Sequence, residues 1–186
     1  RSLCDWSSDV CSSDLIYNDS TSEREEGEWS SYKNKKYNYQ FNYSLDLEKT
    51  KEEEGITEMF YREVGFYSFY EVIFGGENNT EITHRILPNP EQLSLEEWFE
   101  DKFFDPIISY QITEKEEIVI GDIEAMKIKQ ANGAYKEIFY LPFGEYIFSF
   151  SFMGGYPDSP GEYEKKKDAV YLMIKTLEEY NQSEDI

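Results

Sequence analysis

The chain has 186 residues, with 39 acidic against 18 basic side chains, a formal net charge of −21 and 17% aromatic content. That length suits one domain with a substantial core, and the charge repels nucleic acid and anionic lipid surfaces. No apolar run reaches the roughly 18 residues that a membrane-spanning helix needs.

Residues 5–15, Asp5-Trp6-Ser7-Ser8-Asp9-Val10-Cys11-Ser12-Ser13-Asp14-Leu15, match the translation, codon by codon, of a common short-read sequencing adapter. Residues 1–15 are therefore set apart from fold reasoning as an adapter-derived artefact. Both cysteines leave with them, so the remainder needs no disulfide. One Arg and three Asp leave as well, which makes the charge of residues 16–186 equal to −19. The true N-terminus, with any signal peptide or lipidation cysteine, is expected to have been lost. Residues 16–28 are acidic and almost free of apolar side chains, as in a disordered linker.

A domain is expected over residues 29–180. Tyr37, Tyr39, Phe41, Tyr43 and Leu45 alternate with polar residues, which predicts a strand with one buried face. The charged stretch Glu48 to Glu54 reads as a solvated loop closed by Gly55. Ile56–Tyr61 and Gly65–Phe74 read as strands, the second apolar on both phases and hence central in a sheet; Gly75 to Asn79 is a turn. Ile82, His84 and Ile86 share one strand phase. His84 is the only histidine, and its apolar phase makes it a hydrogen-bonded core or pocket-edge residue; one imidazole without cysteines excludes a structural zinc site.

After Pro88-Asn89-Pro90, Ser94 stands as an N-cap with Glu97 in the capping-box position. Leu95, Trp98, Phe99 and Phe103 then form the apolar face of a helix that Pro106 ends. Glu114 to Glu117 reads as another acidic loop. Ile118 to Phe152 is a meander: Asn132-Gly133 between Met126–Lys129 and Tyr135–Leu141 is a hairpin turn, and Pro142-Phe143-Gly144 turns the chain into Tyr146–Phe152. There Tyr146, Phe148, Phe150 and Phe152 share one face, which is expected to be core. Gly154 to Gly161 is a loop. Glu162–Tyr180 is the second helix, with Tyr163, Val170, Met173, Ile174 and Leu177 on its buried face and Lys165, Lys166 and Lys167 in solvent. Residues 181–186 form a tail.

Several of these segments, in this order, resemble the PsbP-like family, named for the extrinsic subunit of the photosynthetic oxygen-evolving complex and common as small bacterial lipoproteins. They are the Trp29 to Tyr43 opening, Pro88 to Trp98, Ile120-Gly121-Asp122-Ile123-Glu124-Ala125 and Tyr140-Leu141-Pro142-Phe143-Gly144-Glu145. Two departures stand out: Tyr43-Ser44-Leu45-Asp46-Leu47 lacks the Pro and Trp of the family's Tyr-Pro-x-x-Trp turn, and no short aromatic strand follows the last helix. The resemblance implies an α+β fold, an antiparallel β-sheet flanked by helices in an α/β/α sandwich. It also implies a non-enzymatic, extracytoplasmic role in binding or supporting a protein or small-molecule partner, with membrane attachment only through the lost N-terminal anchor. No motif matches the family's metal-binding residues, so no catalytic, cofactor-binding or metal-ligating residue is assigned and no cofactor is expected. Two alternatives carry sequence features. A divalent-cation binder, calcium above all, would use the acidic clusters at Glu52 to Glu54, Glu96 to Asp101 and Glu114 to Glu117, although no Asp-x-Asp-x-Asp-Gly loop is present. An enzyme would use paired carboxylates, for which no base, nucleophile or phosphate loop is recognisable.

Overall fold

The computed structural model describes residues 29–60, 64–76, 80–103, 112–131, 135–154 and 160–180, with side chains other than those of 55–69, 101–103, 135, 154 and 160. The adapter-like residues, the acidic linker, the Asn132-Gly133 turn, the Pro106 stop, much of the Gly154 to Gly161 loop and the tail lie outside them. The elements in chain order are β1 (Trp29–Asn34), β2 (Tyr39–Ser44), β3 (Leu47–Phe60), β4 (Val64–Gly76), β5 (Glu81–Pro88), α1 (Leu95–Phe103), β6 (Ile112–Ile120), β7 (Ile123–Ala131), β8 (Tyr135–Phe143), β9 (Tyr146–Gly154), α2 (Pro160–Lys175) and β10 (Glu178–Glu179). Among the described residues the fold is mostly antiparallel sheet with two short helices.

Seven strands pair antiparallel in the order β3-β4-β5-β9-β8-β7-β6. The expected meander is its second half, with Ala131 opposite Tyr135 on either side of the hairpin. At the other end of β8, Gly144 takes φ +59° in the turn to β9, where a glycine carries no steric cost. Pro142 sits inside β8 rather than in a turn, opposite Ile147. Pairing with β7 stops at Tyr140, so the missing N–H of Pro142 breaks no ladder.

Both acidic loops expected from composition are edge strands. Glu48 to Glu54 lie in β3 and Glu114 to Glu117 in β6, the two ends of the sheet among the described residues. An edge strand is wetted along its free side, so charged residues there cost little and discourage edge-to-edge pairing. β4 lies between β3 and β5, one strand in from the edge. A second correction concerns Tyr37 to Leu45. Its strand, β2, is not part of the large sheet but the middle of a separate three-stranded sheet, β1-β2-β10. The third is the last helix, which stops at Lys175; Leu177 and Tyr180 instead anchor the two-residue strand β10 against β2. Tyr180 N–H donates to the Asn38 carbonyl at 3.1 Å.

The core divides between the two faces of the large sheet. On one, Tyr70, Val72, Phe74, Ile82, Ile86, Phe139, Leu141, Phe148, Phe150 and Phe152 meet Tyr32, Tyr39 and Phe41 of the small sheet and Val170, Met173, Ile174 and Leu177 near the end of α2. The aromatic face of β9 is thus core: Phe148, Phe150 and Phe152 are sealed, and Tyr146 packs at the margin. On the other face, Trp98 and Phe99 of α1 rest on Tyr140, Ile138, Met126, Ile128, Leu87 and Ile147. The layers are therefore not helix, sheet, helix: one cover is α2 together with a small sheet, and the other is the short α1. Lys166 is not in solvent as expected; it is buried, with its Nζ donating to the Met153 carbonyl at 3.0 Å.

Phe150 stacks on the His84 ring at 4.4 Å and meets Phe41 at 5.4 Å. Truncating it leaves a cavity in a site closed by two sheets, so Phe150→Ala is expected to cost about 3–5 kcal/mol. Urea unfolding checks this; a loss below about 1 kcal/mol would show that the two sheets do not close on this ring.

Candidate functional site

One cavity lies where α1 begins beside the β6–β7 hairpin, and local bonds fix how α1 gets there. Asn89 is buried; its side chain accepts from Leu93 N–H at 3.1 Å and donates to the Leu93 carbonyl at 2.9 Å, while its own N–H donates to the Glu145 carbonyl. The 89–93 turn is thereby tied to the β8–β9 turn. The capping box forms as the sequence predicts: Glu97 N–H donates to Ser94 Oγ at 3.3 Å and Ser94 N–H to Glu97 Oε2 at 3.1 Å. These bonds from Ser94 hold the Glu97 carboxyl below its usual range. Trp98 Nε1 donates to the Pro88 carbonyl and its ring meets Tyr140 at 5.7 Å, which pins the helix to β8.

This placement leaves a cavity of about 430 Å³ lined by Ser94, Leu95 and Glu96 of the helix start, Glu117, Ile118 and Val119 of β6, and Glu124, Ala125 and Met126 of β7. Buried Met126 and half-buried Leu95 give it an apolar floor. Val119 stands 67% exposed. Glu96, Glu117 and Glu124 are exposed around it, and the described lining contains no lysine or arginine. The potential there is negative, and the low-dielectric floor focuses it. Ser94 is no free hydroxyl, since it donates to Glu97 Oε2 at 2.8 Å. A smaller cavity, about 200 Å³, lies between the small sheet and α2 beside Trp29, Asp46, Thr80 and Asp168.

His84 lies far from solvent. It is fully buried on the aromatic face; its Nδ1–H donates to the Ser149 carbonyl at 3.1 Å, and Tyr39 Oη donates to Nε2 at 2.9 Å. A carbonyl only accepts, so that bond assigns the proton to Nδ1 and leaves Nε2 as acceptor. Burial pushes the pKa of His84 down to about 3, so the ring is neutral and spent on structure. Next to it a polar seam joins the sheets. The Tyr70 hydroxyl donates to Glu52 Oε1, the Tyr32 hydroxyl donates to the Tyr70 oxygen, and Asn34 Nδ2 donates to Tyr32. Burial alone would raise the Glu52 carboxyl, but the bonds from Lys49 and Tyr70 outweigh it and hold it below the usual range.

The acidic clusters of β3 and β6 do not converge. Alternation in a strand sends successive side chains to opposite faces, and lysines neutralise them one by one: Lys49 on Glu52, Lys51 on Glu53, Lys36 on Glu54, Lys129 and Lys127 on Glu114, Lys127 on Glu116. Among the described residues, no group of three or more His, Cys, Asp or Glu side chains is placed to hold a metal ion. Sequence reasoning missed the groove because its walls come from three separated segments. Its one local signal is Val119, an apolar residue on the opposite phase from Ile118 and Ile120, just before the Gly121-Asp122 turn.

No family model matches the chain and no curated protein matches it in sequence. Among solved structures, the 1.50 Å crystal structure of a protein from Bacteroides thetaiotaomicron VPI-5482 is similar with a TM-score of 0.52 at 14% identity, covering 86% of this chain and 50% of that one. The solution structure of cyanobacterial PsbP (CyanoP) from Synechocystis sp. PCC 6803 is similar with a TM-score of 0.49 at 10% identity, covering 82% of this chain and 93% of that one. This chain spans half the length of the Bacteroides protein, and the likeness at that identity is one of fold.

A neutral, sealed His84 has a signature in solution. Its folded pKa lies below the unfolded value of about 6.5, so as pH falls below 6.5 the unfolded chain takes up a proton that the native state refuses. The stability His84 confers is whole above that pH and declines by about 1.4 kcal/mol per unit toward pH 3. The His84 ring resonances are expected to stay unshifted from pH 7 to 5, and the stability gap between the parent and His84→Gln to narrow with that slope. A ring titrating near 6.5 would contradict the placement.

Proposed function

We propose that this chain is a non-enzymatic binding or assembly module of the PsbP-like type. In this reading it works outside the cytoplasm, tethered by an N-terminal anchor through the acidic linker of residues 16–28, and its partner sits in the groove beside α1. The ordered segments from Trp29 to Glu145 that resemble the family, and a mostly antiparallel sheet that agrees with them, support the type. The linker's composition supports the tether.

What carries the reading is the groove itself. Glu96, Glu117 and Glu124 ring an apolar floor with no basic side chain in the described lining, an arrangement complementary to a cationic partner with some apolar surface. A hard cation needs about six converging oxygens, which carboxylates spread around an open groove do not offer. General acid–base or nucleophilic work needs an available base or hydroxyl; Ser94 is committed to Glu97, and His84 is sealed on the other face of the sheet.

The test places a photo-crosslinking residue at Val119 in one variant and at exposed Leu45, in the turn before the opposite edge strand, in another, within cells of the source organism. Adducts in the membrane fraction from position 119 and not from 45 are expected. Equal yields from both, or adducts from 45 alone, would contradict the reading. Fractionation of the native gene product checks the tether: recovery wholly in the cytosolic fraction would overturn it.

A further inference from the structure

We propose that the partner is an extended basic peptide segment that docks by adding a strand to the free edge of β6, alongside the groove. The inference rests on the reading of the groove as a partner site and names what enters it. The cavity is lined by Glu117, Ile118 and Val119, three residues in a row. Glu117 and Val119 lie opposite Met126 and Glu124 on the face that α1 covers, so the cavity opens on that face and reaches out to the edge strand. Among the described residues no strand pairs with the outer edge of β6, which pairs with β7 alone.

β3 carries charged side chains from Glu48 to Glu54, with Thr50 the one uncharged position, and then runs through Gly55-Ile56-Thr57-Glu58-Met59-Phe60. β6 is charged over Glu114-Lys115-Glu116-Glu117, with Lys115 Nζ 5.1 Å from the centre of the Phe99 ring, and then runs uncharged through Ile118-Val119-Ile120. Charged edge residues are the usual defence against unwanted pairing. Here the defence stops where the cavity begins, and the residue it leaves unprotected, Val119, is two-thirds exposed.

The edge also dictates what the added strand carries. Residues directly opposite on one face interact across about 5 Å. Glu117 and Val119 share a face, on which Glu124 lies opposite Val119, and Ile118 points the other way. The matching segment therefore reads basic, apolar, apolar: a lysine or arginine facing Glu117, then two apolar residues facing Ile118 and Val119. Main-chain bonds supply affinity and these side chains supply selection, as in other cases of strand addition. The excess negative charge of the chain would speed the encounter.

The experiment uses the full chain and three labelled probes: a short peptide in which lysine is followed by two valines, the same peptide N-methylated at alternate amides, and hexyltrimethylammonium. The first peptide is expected to bind with an affinity that falls with salt, and to slow amide exchange at residues 117–120. Losing two main-chain bonds by methylation is expected to weaken it about tenfold. The triple variant Glu96→Gln, Glu117→Gln, Glu124→Gln, exposed at every position, is expected to bind less and with a flatter salt dependence. Equal binding of the methylated peptide, or slowed exchange along β3 instead of β6, would overturn strand addition. If the small cation binds in a way the triple variant abolishes while neither peptide does, strand addition fails and the groove reading survives; if no probe responds to the triple variant, both fail.

Discussion

The hydrogen bond from Tyr39 to His84 crosses the gap between the two sheets, and the remaining packing is arranged to keep that gap dry. Burial of Phe41, Phe74, Phe148 and Phe150 supplies most of the driving force, but apolar contact is non-directional and tolerates sliding. A buried hydroxyl and imidazole tolerate none, because each would be left unpaired at a cost of about 1–3 kcal/mol. Tyr39 on β2, His84 on β5 and the Ser149 carbonyl on β9 therefore fix the small sheet against the large one in one position. The rings of Phe41, Phe148 and Phe150 lie 4.4 to 5.5 Å from the imidazole and exclude water from it. At the rim, where water reaches, Tyr32, Tyr70 and Glu52 continue the seam with groups that can bear exposure.

With one face of the large sheet committed to this junction, the proposed recognition falls to the other face and to the edge strand β6. α1 is the device that creates an opening there. Its position is set by the Asn89 turn, the Ser94–Glu97 box and the Trp98 bond to Pro88, of which only Ser94 lines the groove. α1 docks on β8, and the groove lies between its first residues and the paired strands β6 and β7. The scaffold is closed where the histidine sits and open where the carboxylates sit.

The parts of this arrangement written in local sequence were legible. Alternating aromatics gave the β9 face, Ser94 and Glu97 gave the start of α1, and the phase of His84 gave its burial. What was not legible depends on partners far along the chain. Tyr39 and His84 are 45 residues apart, and nothing near either one announces the other. The runs Glu48 to Glu54 and Glu114 to Glu117 read as loops because polarity is the usual mark of a loop, yet the same polarity is what an edge strand needs. The split of the strands into two sheets follows from how aromatic faces close on each other, which periodicity along one strand does not encode. The groove joins segments near residues 95, 118 and 125, so only the folded chain brings its three carboxylates around one floor.

The central claim is that the working surface is the β6 side of the large sheet and that the histidine-centred junction is scaffold. Hydrogen–deuterium exchange on the full-length protein in membranes of its source organism, compared with the same protein purified away from them, tests this most directly. The account predicts added protection confined to the start of α1 and to β6 and β7, with the β2, β5 and β9 amides around His84 unchanged. Protection centred on β1, β2 or β3, with the β6–β7 hairpin unaffected, would contradict it.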